Sequence, residues 1–163
     1  MLSLIFPKNL NNEYRGYKLA IWLLVLLLLF KTSISVNALD WNPYMTSSEV
    51  FQRADRIPLD TFSENAGDTA VLLIAVWGVT HLVLNVLGFI AVVRYRAMIP
   101  LIYLLMAIDH IGRRLAVDAF PIVRVSEGTD GSVDIPVTFI LIALVLIGLG
   151  MSLTTPRRLE GDA

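Results

Sequence analysis

The side chains able to do chemistry are few, and they fall inside the most apolar parts of the chain: His81 and Asn85 in one hydrophobic stretch, then Asp109, His110, Arg113 and Arg114 in the next. Charged groups are costly in lipid, so such residues are expected to face a bundle interior, a cavity or another polar group. Gly78, His81, Asn85 and Gly88 follow at intervals of three, four and three, which puts them on one small and polar helical face. The glycines would let a neighbouring backbone approach closely. Met106, Asp109, Gly112 and Arg113 make a comparable face on the following stretch, with Asp109 and Arg113 one turn apart as a candidate ion pair and Tyr103, His110 and Arg114 on an adjacent stripe. The turn between the stretches centres on Tyr95; His81 precedes it by 14 residues and Asp109 follows it by 14. An antiparallel helix pair would hold the two at about the same depth, on the order of 20 Å from the turn. The expected cluster is an Asp109 carboxylate between His81 and Arg113, with Asn85 one turn deeper and His110 nearby.

Several chemistries compete for that cluster. A buried carboxylate either neutralises or finds a cation and donors, so polar glue that fixes the hairpin is the plainest role. An ionised Asp109 would favour protonated His81 while desolvation opposes it. A pocket for an amphipathic molecule is the alternative: Arg113 and Arg114, near the outer interface, would meet lipid phosphate, a quinone head group or an anionic solute, or else simply anchor the helix there. A proton-linked transporter would use Asp109 and His81 as relay groups, but no internal repeat is visible and transport would require an oligomer. Haem b ligation by His81 and His110 is chemically open. The two would sit too close across a tight helix pair to flank a macrocycle, and no cofactor is expected. A metal set of His81, Asp109 and His110 suffers because adjacent helical positions point about 100° apart, and no metal is expected either. No serine nucleophile motif, phosphate loop or metalloprotease pattern occurs. No catalytic residue stands out, and enzyme is the less favoured class. The absence of cysteine removes disulfides, thiol redox pairs and cysteine-held zinc or iron–sulfur centres.

The elements that must position these residues follow from composition. The chain has 163 residues, of which 56% are hydrophobic and only 17% charged. With a mean hydropathy of +0.69, these values exclude an ordinary water-soluble globular domain and make lipid the expected solvent. Net charge is −1 with no basic tail, so nucleic acid is not an expected partner. Four apolar stretches, 19–36, 69–93, 97–119 and 135–155, each approach the length that crosses a core of about 30 Å. The last opens with Pro136 and stops before Pro156, as proline suits a helix start and resists a helix before it. The expected fold is all-α: a small polytopic transmembrane helix bundle with four spans, or three if the first is a cleaved signal peptide. Its uninterrupted apolar core, residues 19–30, is followed by Lys31, and Val36 and Ala38 place small residues where a signal peptidase reads. Snorkelling of Lys31, with Ile34 and Val36 beyond it, would extend the segment to a retained span, the preferred reading.

Orientation follows from the basic residues. Lys8, Arg15, Lys18, Arg94, Arg96, Arg157 and Arg158 fall on one side, two of them in the very short turn around Tyr95, and the positive-inside rule places that side in the cytoplasm. The expected organisation is a cytoplasmic segment 1–18, a span or signal sequence 19–38, an extracytoplasmic segment 39–68, a three-helix membrane region 69–155 and a cytoplasmic tail 156–163. The outer segment holds Trp41 and Tyr44, suited to an interfacial belt, and Thr46 with Glu49 in capping-box spacing ahead of an amphipathic run up to Pro58. The second outer loop reads as a turn at Asp130-Gly131. The function expected from all this is a non-catalytic accessory, assembly or interaction subunit of a membrane complex, partnered by the bilayer and by another membrane protein or copies of itself. The alternative is a membrane binding protein for a lipid, quinone or other amphipathic molecule using His81, Asn85, Asp109, His110, Arg113 and Arg114. A bacterial inner membrane or another plasma membrane is the expected location.

Overall fold

The computed structural model describes residues 2–41, 44, 46–49, 57–120 and 137–154. Among these the chain is helical and has no strand: α1 spans Leu2–Ile5, α2 Lys18–Ala38, α3 Glu64–Val93, α4 Ile99–Ala119 and α5 Val137–Leu153, with 3-10 turns at Leu59–Thr61 and Arg96–Met98. The turn expected at Asp130-Gly131, the helix expected over residues 50–56, the Pro136 and Pro156 boundaries and the tail 156–163 lie outside the described residues.

The four expected spans are not alike. α2 and α3, of 21 and 30 residues, are long and apolar enough to cross a membrane. α5 is apolar but only 17 residues long. α4 has 21 residues but carries Asp109, Arg113, Arg114 and Asp118, and it is amphipathic. α3 starts five residues before its apolar stretch because Glu64 to Asp68 are polar without being helix breakers. α2 runs without interruption through Lys31, which is only 4% exposed. Snorkelling is therefore not how the helix accommodates that ammonium.

Hydrogen bonds at the end of α2 explain why it stops. The Trp41 N–H donates to Val36 O (3.3 Å) and the Asp40 N–H to Asn37 O (3.3 Å), the paired bonds of a Schellman ending, with Asp40 at φ 55° in the place glycine usually takes. An aspartate serves because its carboxylate Oδ1 accepts the Ser47 N–H, while Ser47 Oγ donates to the Ala38 carbonyl (2.9 Å). The capping box forms as spaced: the Thr46 N–H donates to Glu49 Oε2 (2.9 Å) and the Glu49 N–H to Thr46 Oγ1 (3.3 Å).

The chain forms two compact units. The first is drawn from residues 1–27, 87–114 and 135–163. Its core holds Ala20, Leu24 and Leu27 of α2, Ile99, Ile102, Tyr103, Met106 and Ala107 of α4, and Val145 of α5. Tyr103 is fully buried and its Oη donates to the Ala20 carbonyl at 2.7 Å. On α5, Gly148 lies so close under the Tyr103 ring that a Cβ there would overlap it. One aromatic residue thus sets the spacing of three helices. The segment before α2 ties the same unit together at one end: the Ala97 N–H donates to Asn11 O (3.3 Å), and the Tyr17 N–H to Met151 O (3.1 Å). The start of α2, the turn between α3 and α4 and the last turn of α5 therefore share one end of this unit.

The second unit is drawn from residues 28–86 and 115–134. Here Lys31, Ser35 and Ala38 of α2 are buried together with His81 and Asn85 of α3. A Cβ at Gly78 would stand 2.9 Å from the Ala38 Cβ and 3.3 Å from the Ser35 carbonyl oxygen, a spacing that only glycine permits. The close backbone approach expected of this glycine thus occurs, and the neighbour is α2.

Replacing Gly148 by Ala should cost about 1–3 kcal/mol, because the Tyr103 ring has no room to withdraw. Tyr103→Phe should cost about 1 kcal/mol through the lost hydroxyl bond. Thermal unfolding of the full chain in mild detergent checks both, and unchanged midpoints would remove Tyr103 as the spacer.

Candidate functional site

The expected site residues are distributed over both units. His81 and Asn85 belong to the second, whereas Asp109, His110, Arg113 and Arg114 belong to the first.

In the second unit, His81 and Asn85 are buried on one face of α3, as their spacing requires. The His81 ring lies against Trp77 one turn earlier, with centroids 4.2 Å apart and planes tilted by 49°. Asn85 Nδ2 donates to Ser35 Oγ at 3.4 Å, and Ser35 Oγ donates in turn to the Lys31 carbonyl at 2.9 Å. The first bond is long and weak; the second is the back-bond a helical serine commonly makes. Because the Ser35 proton is directed at a carbonyl, which cannot take it up, this hydroxyl is not prepared as a nucleophile. What the arrangement supplies is a polar seam between two apolar helices, with the Lys31 ammonium enclosed in the same unit.

On α4 the buried stripe is Ile99, Ile102, Tyr103, Met106, Ala107 and His110. This is the ordinary recurrence of a helix face, but it is rotated from the stripe of Met106, Asp109, Gly112 and Arg113 that the sequence suggested. Asp109 and Arg113 are half-buried at its edge, and Gly112 is exposed, with open space around its missing Cβ. The aliphatic and aromatic side chains offer more contact area than the charges do, and they win the interior. Arg114, also half-buried, holds its guanidinium 5.2 Å from the centre of the Phe139 ring on α5, within cation–π range. Among the described residues no group of three or more His, Cys, Asp or Glu side chains could hold a metal ion.

Ahead of α2, burial pushes the Tyr14 phenol up to about 12. Its oxygen is buried without a hydrogen-bond partner among the described residues. Two tyrosines of one unit thus differ in what their hydroxyls do, since only that of Tyr103 bridges helices.

Two polar residues of the seam escaped the sequence-level site. Lys31, Ser35 and Ala38 follow at intervals of four and three, the pattern of a single face, which was legible in principle. The sequence instead suggests that Lys31 snorkels from within the first span. The acceptor of the Tyr103 hydroxyl is a backbone carbonyl, and no residue type signals that.

No protein-family model, curated protein or solved structure matches the chain.

If the Asn85–Ser35 contact is packing glue, a double-mutant cycle with Asn85→Ala and Ser35→Ala should give a coupling of about 0.6 kcal/mol, the usual size of such bonds between membrane helices. A coupling several times larger, measured by unfolding in detergent, would contradict a purely structural role for the seam.

Proposed function

We propose that this chain is a small four-span integral membrane protein that acts as a non-catalytic accessory, assembly or interaction subunit of a membrane complex. The observation that carries the reading is the inverted distribution of polarity. Lys31, Ser35, His81, Asn85, His110 and Ser152 are buried, while Trp22, Leu26 and Leu29 of α2, and Leu72, Leu73, Val76, Val79, Val83 and Val86 of α3, are exposed. In water such a surface would be an association liability; in lipid it is the ordinary exterior. Even amphipathic α4 exposes Ile108, Ile111 and Leu115.

Four crossings are supported by the shared end of the first unit, where the strap at residues 11–17 bonds to both the α3–α4 turn and the last turn of α5. An even number of crossings brings a chain back to the side from which it started. The exposed Lys8, Arg15, Lys18, Arg94 and Arg96 favour a cytoplasmic setting for that side. Retention of α2 belongs to the same reading. Cleavage after Ala38 would remove Ala20, Leu24, Leu27 and Leu28 from the core together with the acceptor of the Tyr103 bond.

The non-catalytic part rests on how the polar groups are used. Tyr103, Ser35 and Asn85 are engaged in bonds to helix backbone or to each other, and the Arg114 charge lies over Phe139. Such groups join helices.

Native mass spectrometry with lipid extraction, on protein taken from its source membrane in mild detergent, tests the reading. A stoichiometric protein partner, a chain mass that includes residues 1–38 and no retained small molecule that depends on Asp109 or His81 are expected. A quinone, lipid or haem that is retained by the native chain and lost from Asp109→Asn or His81→Ala would overturn it in favour of a binding protein.

A further inference from the structure

The shared end of the first unit has a property that helix packing does not use. Among its described residues Lys8, Arg15, Lys18, Arg94 and Arg96 are all exposed, and Glu13 is the single acid among them. The strap bonds hold these bases on neighbouring pieces of backbone: Asn11 O accepts from Ala97, next to Arg96, and Tyr17, next to Lys18, donates to Met151 at the end of α5. The Arg96 Nε donates to the Val92 carbonyl at 3.0 Å, which fixes the side chain and leaves its two terminal nitrogens for another acceptor. The Arg94 guanidinium stands 5.8 Å from the centre of the Tyr95 ring. Apolar groups flank the bases. Phe6 and Leu10 are more than half exposed on either side of Lys8, and Tyr17, Leu19 and Trp22 are exposed at the start of α2.

We infer that this end is a binding surface for acidic phospholipid headgroups, formed jointly by the 6–18 segment and the Arg94-Tyr95-Arg96 turn. Resting on the membrane reading above, it goes beyond orientation by giving the basic residues a ligand class. Charge complementarity carries the choice of occupant. Guanidinium groups held at a helix turn match phosphate oxygens in geometry, and the flanking Phe6, Leu10, Tyr17 and Trp22 have the amphipathic or apolar character of side chains that settle at the headgroup boundary. The strap would then lie along the bilayer surface, its bases among phosphates and its apolar side chains towards the acyl chains. A basic residue at such a surface is worth roughly fivefold in affinity for anionic lipid at moderate ionic strength.

The full chain, reconstituted in vesicles of phosphatidylcholine mixed with phosphatidylglycerol, is tested with spin-labelled versions of each lipid. Phosphatidylglycerol should associate several-fold more strongly than phosphatidylcholine, and the preference should shrink with added salt. The Arg94→Gln/Arg96→Gln variant should lose a large part of that preference, and the Lys8→Gln/Arg15→Gln variant a comparable part. Equal association of the two lipids with the incorporated native chain would overturn the inference and leave the membrane reading standing. A preference undiminished in both variants would overturn it too, by placing the lipid site elsewhere. Failure of the native chain to enter vesicles would overturn both.

Discussion

A phenol cannot be enclosed among apolar helices without an acceptor unless the fold absorbs the cost, and the bond from Tyr103 Oη to the Ala20 carbonyl is where this fold meets that demand. The acceptor lies in the first turn of α2, so the ring must cross from α4 at a fixed height. The space it occupies is made by Gly148 on α5. Register and separation of three helices follow from one side chain. The strap at residues 11–17, bonded to the α3–α4 turn and to the end of α5, repeats the constraint at the end of the same unit.

The second unit uses the same economy with a weaker bond. Gly78 admits Ala38 and the Ser35 carbonyl to a distance that any larger residue would forbid, and the Asn85 amide then reaches Ser35 only at 3.4 Å. Close packing, more than hydrogen bonding, holds this pair, which would suit the membrane setting proposed above, where lipid supplies no hydrophobic drive between helices. A seam of this kind distinguishes the interior of the helix pair from its exterior. The accessory role proposed above would need such an interior and an apolar outside on which a membrane partner could rest.

Helix locations were largely legible because apolar runs of this length have few alternatives, and the tight turn at Tyr95 and the Thr46–Glu49 cap were legible from local chemistry. The face of α4 was not. Asp109 and Arg113 announce that they avoid lipid, but a half-buried edge satisfies that requirement as well as the centre of a seam does, and the larger contact area of Ile102, Tyr103 and Met106 decides the rotation. Lys31 misled for a related reason: the helix continues past it as expected, but a lysine at such a place usually escapes to the interface, whereas here its side chain is enclosed. The Asp40 ending of α2 lacked its usual glycine, and its stabilising partner, Ser47, becomes visible only once the chain has turned back.

The absence of cysteine makes the central claim directly measurable, since any cysteine introduced will be the only one in the chain. Single substitutions Asn12→Cys, Ser63→Cys, Ser132→Cys and Gly161→Cys, in sealed membrane vesicles of known orientation, can be reacted with a membrane-impermeant maleimide from each face in turn. A four-span bundle predicts that Asn12→Cys and Gly161→Cys react from one face and Ser63→Cys and Ser132→Cys from the other. Reaction of Ser132→Cys from the same face as Asn12→Cys would contradict it.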